Sequence, residues 1–256
     1  MDVTHAIVLG VVEGVTEFLP ISSTGHLLLA GELLHIPATN FQKSFDIIIQ
    51  LGAIFSVVVL YARTLCRLET LKKLVIAFIP TGIIGLTLYH TVKTYLLGNN
   101  QVVLWALGIG GLALIAFEFW HRESDIPAQS VEEISYAQAA TIGLFQSLAI
   151  IPGVSRSAAT IVGGMLLGLR RATIVEFSFL LAVPTMLAAT GLDLARNASL
   201  FSIDQFEVLL IGFGISFVTA LLSITFLLRF IRNHTFIPFG IYRIIITLVF
   251  SLVMFL

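Results

Sequence analysis

The sequence predicts an all-α integral membrane fold of about six transmembrane helices plus two re-entrant helical hairpins, arranged as inverted-topology repeats. Three observations predict it. Hydrophobic residues make up 57% of the 256-residue chain and charged ones only 11%, with a mean hydropathy of +1.01, far from the quarter charged that soluble domains carry. Six segments supply the roughly 20 mostly apolar residues that a bilayer-spanning helix needs. Two further apolar regions are each broken near the middle by a polar stretch containing proline and glycine, and they resemble each other.

Taken in order, residues 2–35 form the first broken region, interrupted by "LPISSTGH". It is not expected to be a cleavable signal peptide, because Asp2, His5, Glu13 and Glu17 lie within it and no basic n-region or small-residue cleavage site follows. Spans are predicted at about 45–62, 74–92 and 102–120. Residues 121–136, "HRESDIPAQSVEEISY", are the only long hydrophilic connection and are expected to be a solvated linker. The second broken region, 137–168, is interrupted by "IPGVSRSAAT", and spans follow at about 174–195, 207–228 and 237–256. Each half of a broken region has about 10–17 residues, too short to span comfortably, so the chain is expected to enter the membrane and turn back. Two ordinary kinked spans per region are the alternative.

Laid on one another at an offset of 133 residues, Gly10-Val-Val-Glu13 falls on Gly143-Leu-Phe-Gln146, and Ile21-Ser22-Ser23-Thr24 falls on Val154-Ser155-Arg156-Ser157. The whole chain then reads as one polytopic membrane domain: repeat 1 over about 2–120, the linker, and repeat 2 over about 137–256. With one hairpin and three spans each, the second repeat is inverted relative to the first, and sites in such folds form where the repeats meet near the midplane. The two polar turns should therefore meet.

Positive charge orients the chain. Placing Arg63, Arg67, Lys72 and Lys73 inside also places Arg122, Arg170, Arg171, Arg229 and Arg232 there, nine of the fourteen basic residues, against Lys43, Lys93 and Arg196 outside. The first hairpin is then expected to open outward, with both termini external. A formal net charge of −1 offers no basic face for nucleic acid, and the single cysteine, Cys66, makes neither an internal disulfide nor a multi-cysteine metal site.

Chemistry concentrates in the two turns. Glu13 and Glu17 are four residues apart and share a helix face. Burying two carboxylates side by side at membrane depth requires compensation, either by a divalent cation, which hard oxygen ligands would hold against a phosphate, or by a shared proton. An aqueous vestibule holding two idle carboxylates is the alternative. Ser22, Ser23 and Thr24 follow Pro20 at the start of a helix, where hydroxyls cap and exposed N–H groups attract anions. His26 is a nucleophile, a general acid or a hydrogen-bonded structural histidine. In the second turn Arg156 sits between Ser155 and Ser157, with Thr160 a turn further on. A guanidinium stays charged and its fork fits phosphate oxygens; pairing with Glu17 alone is the structural reading. Together these groups suit a phosphate-bearing substrate whose remainder lies in lipid. Arg243 in "FIPFGIYRII" and Asp193 in "GLDLAR" are left outside this core site.

These residues carry a family resemblance. "EGVTEFLPISSTGH" and "PGVSRSAAT", with "SFLLAVP" at 178–184 and "FIPFGIYR" at 236–243, resemble the undecaprenyl-diphosphate phosphatase family, also called the bacitracin-resistance family, along nearly the whole chain. The resemblance implies a phosphatase of the bacterial plasma membrane that converts undecaprenyl diphosphate to undecaprenyl phosphate and recycles the carrier for peptidoglycan and other wall polymers. It implies Glu13, Glu17, Ser23, His26 and Arg156 as the reacting groups, Ser22, Thr24, Ser155, Ser157 and Thr160 beside Arg156 on the substrate, and Glu13 with Glu17 on a divalent cation, Mg2+ or Ca2+. The expected partners are a polyprenyl diphosphate lipid and the bilayer, not nucleic acid; a homodimer is left open. Lipid phosphatases of the type-2 phosphatidic-acid-phosphatase superfamily share Ser-Gly-His and Ser-Arg motifs but need a histidine and an aspartate where this chain has Val162 and Leu166. Ser23, His26 or water remain candidate nucleophiles, and a transporter of the lipid monophosphate is the rival class, since inverted repeats with broken helices are also a transporter's architecture.

Overall fold

Two capping boxes 133 residues apart start the two halves of the chain in the same way. Asp2 accepts from the His5 amide at 2.9 Å while the His5 ring accepts from the Asp2 amide at 3.2 Å. Ser135 accepts from the Gln138 amide at 3.1 Å while the Gln138 side chain accepts from the Ser135 amide at 2.9 Å. Such reciprocal bonds satisfy donors that a helix start leaves unpaired. In the computed structural model, residues 1–37, 39–96, 98–121, 130–197 and 205–255 are described. Arg122, most of the expected linker, and the side chains of Lys93, Asp193 and Arg196 lie outside the described residues.

Among the described residues, five principal helices follow in each half. The first half has α1 (Val3–Thr16), α2 (Ser23–Leu33), α3 (Asn40–Leu60), α4 (Leu68–Thr87) and α5 (Asn100–Trp120). The second has α6 (Tyr136–Gln146), α7 (Arg156–Leu166), α8 (Arg171–Asn197), α9 (Phe206–Phe230) and α10 (Ile237–Phe255). Both ends of α7 lie at the 133-residue offset from those of α2, and the residues just before them, Ser22 and Ser155, have φ of 70° and 79°. Non-glycine residues rarely adopt this left-handed backbone, so its recurrence at one offset marks the same turn built twice. Among the described residues, Phe41–Leu60, Leu68–Thr87, Asn100–Trp120, Arg171–Gly191 and Phe206–Phe230 are long and apolar enough to cross a membrane; Ile237–Leu252 is apolar but shorter.

Two expectations need correction. The second span starts at Leu68 rather than about 74, so Lys72 and Lys73 stand on helix α4 and not in a loop. Long lysine stems lie along apolar surface while the ammonium finds a polar partner, here Glu69 for Lys72 at 2.7 Å and the Glu132 carbonyl for Lys73. The described end of the linker is not simply solvated either: Val131 and Ile134 are buried in the main core, because they are the apolar members of an otherwise acidic stretch.

The halves are exchanged. Helix α1 packs on α9 of the second half and α6 on α4 of the first, while α5 pairs with α10. In both exchanges a hydroxyl of the long helix donates to the same hairpin carbonyl: Thr219 to Gly10 at 3.4 Å and Thr81 to Gly143 at 2.8 Å. Without a hydrophobic drive between lipid-facing helices, close approach and such bonds carry the packing. A side chain at Gly143 would run into the Ala77 carbonyl, and one at Gly14 into Thr219 and the Ser216 carbonyl.

Of the residues assigned by charge to one side, Arg67, Lys72, Lys73 and Arg171 are tied into polar contacts near the helix ends. Arg67 pairs with Glu132, Tyr136 donates to Glu69 at 2.7 Å, Gln138 to the Leu167 carbonyl at 3.2 Å, and Arg171 to Glu118 at 2.9 Å. The Gln138 bond brings both ends of the α6–α7 hairpin together. The Arg67 guanidinium holds the Glu132 carboxyl below its ordinary 4.5. A depressed carboxylate stabilises the fold above its unfolded value and loses that contribution as pH falls through the folded one, so Arg67→Gln should remove the part of the acid-side stability profile below pH 4.5 that this tie supplies, read by unfolding curves between neutral and acid pH.

Substituting Gly143 by Ala should lower stability by about 1–3 kcal/mol, the usual cost of overpacking. Gly31, beside which an added Cβ meets nothing within 4 Å, should tolerate Ala and gain a few tenths of a kcal/mol, up to about 1, from helix propensity. Thermal unfolding in detergent checks both.

Candidate active site

The two broken regions meet through one ion pair. Glu17 caps the end of α1 and Arg156 opens α7; their side chains are 2.8 Å apart and only 6% and 10% exposed. Fixing a carboxylate against a guanidinium removes much of the desolvation problem that either charge faces alone. Glu17 accepts from Arg156 on one oxygen and from the Ser23 hydroxyl, at 2.6 Å, on the other. Arg156 also donates to the Ser178 carbonyl at 2.8 Å and stands 5.8 Å from the Phe18 ring centre.

Two buried groups here lack counterparts. Among the described residues, Arg156 Nε has no acceptor and neither oxygen of Glu13 has a donor. Unpaired buried polar atoms are costly and point to a missing guest. Glu13 is fully buried beside Glu17. One orphaned donor on the arginine side and two orphaned acceptors on the glutamate side match an anion together with a cation. Two carboxylates are a sparse but chemically suitable set of hard oxygens for a divalent ion; among the described residues no cluster of three or more histidine, cysteine, aspartate or glutamate side chains is suited to hold one.

A cavity of about 690 Å3 opens beside this pair. Its polar wall holds Glu17, Ser22, Ser23, Thr24, Ser155 and Arg156, and the rest is largely apolar. Ile79, Ile83 and Leu86 of α4 also line it and are 48%, 61% and 67% exposed. Glu13, His26, Ser157 and Thr160 do not line it. Glu13 lies behind Glu17. Thr160 shares a hydrogen bond of 2.7 Å with Ser178, whose carbonyl takes Arg156, so it braces the arginine from behind. Ser157 Oγ is 3.4 Å from Ser155 Oγ. His26 points away: its Nδ1 lies 2.8 Å from the Ser22 carbonyl and its Nε2 2.8 Å from the Tyr242 hydroxyl.

The turns themselves are differently held. Ser155 caps its own helix by accepting from the Ala158 amide at 3.2 Å, whereas Ser22 makes no side-chain cap bond. Its left-handed conformation, worth about 1–3 kcal/mol of strain, leaves its hydroxyl on the cavity wall.

Two features escaped sequence reasoning. Arg243, set aside there, is fully buried and spends its guanidinium on five carbonyls: Pro20 in the first turn, Gly153 and Val154 in the second, and Ala106 and Leu107 of α5, at 2.9–3.3 Å. It stitches the two turns to one another and to α5, the last long helix of the first half. Gly110 leaves it room, since a Cβ there would strike the guanidinium; the "GIGG" run at 108–111 was the available signal. The second is Gln146, the repeat counterpart of Glu13, which donates to Thr81 at 2.9 Å and Thr185 at 3.1 Å across the cavity. Each threonine follows a proline inside a long helix, Pro80 and Pro184, and the repeated Pro-Thr step was legible but unread.

A family described as "Bacitracin resistance protein BacA" matches residues 6–249. A protein of Sulfurihydrogenibium sp. named undecaprenyl-diphosphatase is 51% identical over 252 residues, covering 98% of this chain and 99% of its own. Proteins of the same name from Wolinella succinogenes and Aquifex aeolicus are 49% and 51% identical, over 98% and 96% of this chain and 97% and 96% of theirs.

Because all three of its guanidinium nitrogens carry bonds, Arg243→Lys keeps the charge but not the fork. It should lower thermal stability by about 2 kcal/mol or more and make the 17–23 and 150–156 turns measurably faster in amide hydrogen exchange.

Proposed function

The chain belongs to the BacA bacitracin resistance family, and from that premise we infer that it is an undecaprenyl-diphosphatase, hydrolysing undecaprenyl diphosphate to undecaprenyl phosphate and inorganic phosphate. This returns the lipid carrier to cell-wall synthesis and accounts for bacitracin resistance. The observation that carries the reading onto this chain is the Ser23–Glu17–Arg156 line, 2.6 and 2.8 Å long, on the wall of a largely apolar cavity.

In this reading the diphosphate enters with its oxygens against Arg156, whose unpaired Nε gains an acceptor, and against the hydroxyls of Ser22, Thr24 and Ser155. Ser23 Oγ gives its proton to Glu17 and bonds to the terminal phosphorus as the bridging P–O bond breaks, and Glu17 passes that proton to the departing prenyl phosphate, which restores its carboxylate. Water, deprotonated by Glu17, then cleaves the seryl phosphate, and phosphate departs as Ser23 regains its proton. Glu17 is set for this task by a serine on one oxygen and a fixed positive charge on the other. His26 supports the wall rather than the reaction, because it does not face the cavity. Glu13, with Glu17, would hold a divalent cation such as Mg2+ or Ca2+; when bound, it would neutralise charge developing on the phosphates.

The architecture around the site is proposed to be two re-entrant hairpins in inverted repeats. Helices α1, α2, α6 and α7 have 11–14 residues, roughly 16–21 Å at 1.5 Å per residue, against a hydrocarbon core of about 30 Å. The basic end with Arg67, Lys72, Lys73 and Arg171 is assigned to the cytoplasm of a bacterial plasma membrane by the positive-inside rule, so the cavity opens toward the outer leaflet and the prenyl chain lies along the apolar mouth.

Purified protein in detergent, given a long-chain prenyl diphosphate, should release phosphate, and a chelator should suppress it. Ser23→Ala, Glu17→Gln and Arg156→Ala should each lower kcat by about 100-fold or more, the scale of losing a nucleophile, base or preorganised charge, without loss of the folded protein. Near-normal turnover in any of them removes that residue's role. No release by folded wild-type protein would favour translocation of the lipid monophosphate instead.

A further inference from the structure

We propose that Tyr242 is a positioning residue for the reaction: through His26 it holds the Ser22 turn that presents Ser23. The inference rests on the Ser23 reading above and deepens it. A carbonyl can only accept, so the contact from His26 Nδ1 to the Ser22 carbonyl at 2.8 Å places the ring proton on Nδ1. In the neutral ring Nε2 is then an acceptor, and the Tyr242 hydroxyl, 2.8 Å away, is its donor. The two rings are stacked, 5.5 Å between centres and 2° from parallel, which fixes the imidazole plane as well as its hydrogen bonds. Neither nitrogen is left to take a proton from Ser23 or to meet phosphorus.

What the ring does hold is the carbonyl of a residue at φ 70°. The main-chain bond to that carbonyl, from the His26 amide, is long at 3.4 Å, so the side chain is the tight contact. The equivalent turn at Ser155 has no such clamp: the repeat counterparts of His26 and Tyr242 are Ala159 and Ile109, and Ser155 is held by its own cap bond. The clamp is present only in the turn that carries Ser23. Its neighbour Arg243 grips Pro20 two residues before Ser22, so the dipeptide Tyr242-Arg243 of α10 holds the turn at both ends.

The test separates positioning from chemistry. Tyr242→Phe should lower kcat about three- to ten-fold, the scale of one buried hydrogen bond, with KM for the prenyl diphosphate unchanged. His26→Asn, whose amide can still donate to the Ser22 carbonyl, should keep at least about a tenth of wild-type kcat while His26→Ala falls toward a hundredth. Nitrogen-15 spectra of histidine-labelled protein in nanodiscs, with His26→Asn assigning the signal among the six histidines, should show a protonated Nδ1 and an unprotonated Nε2 that shifts in Tyr242→Phe. A folded His26→Asn as inactive as His26→Ala, a wild-type kcat in Tyr242→Phe, or the opposite tautomer overturns the proposal. The spectra need no turnover, so an active Ser23→Ala would refute the nucleophile while leaving the clamp to be judged on its own signal.

Discussion

Two interrupted helices leave carbonyls without partners in the middle of an apolar molecule, and the fold depends on the satisfaction of those carbonyls. Irregular backbone at membrane depth is tolerated only where protein or water answers it. Arg243 answers much of it at once, because its planar fork offers five N–H donors in fixed directions and stays charged when buried. The carbonyls of Pro20, Gly153 and Val154 converge on it from both halves. That convergence brings the turns within reach of each other, and the Glu17–Arg156 pair, the Ser23 contact and the cavity wall are built on the resulting framework.

Much of this was legible in the residues. The broken regions, the match at 133 residues and the meeting of the turns all follow from spacing and from the cost of burying charge, and the structure returns α2 and α7 in the same register. What stayed hidden shares one property: its partners are backbone atoms or side chains far away in sequence. Arg243 bonds only to carbonyls, which every residue has, so nothing in the sequence marks its targets. The separation of Glu13 from the cavity and of His26 from the reacting groups depends on helix rotation to within a fraction of a turn, which a four-residue spacing does not resolve. Gln146 and its two threonines come from three separate helices.

The two copies of the turn have divided the work. At matched positions the first half carries Glu13, Ser23 and His26, and the second carries Gln146, Arg156 and Ala159. Carboxylates and the Ser23 hydroxyl collect on one side and the fixed cation on the other, so neither half holds the whole cluster. The exchange of α1 onto α9 and α6 onto α4 then makes assembly of the halves and assembly of the site the same event.

Exposed isoleucine and leucine side chains of α4 line one side of the cavity. A substrate arriving there diffuses in the plane of the leaflet, and its water concentration is irrelevant to the encounter. The quantity that sets saturation is therefore its mole fraction among lipids: diluting the leaflet with inert lipid slows the enzyme even when the number of substrate molecules is unchanged, and a membrane crowded with carrier saturates it without any rise in bulk concentration.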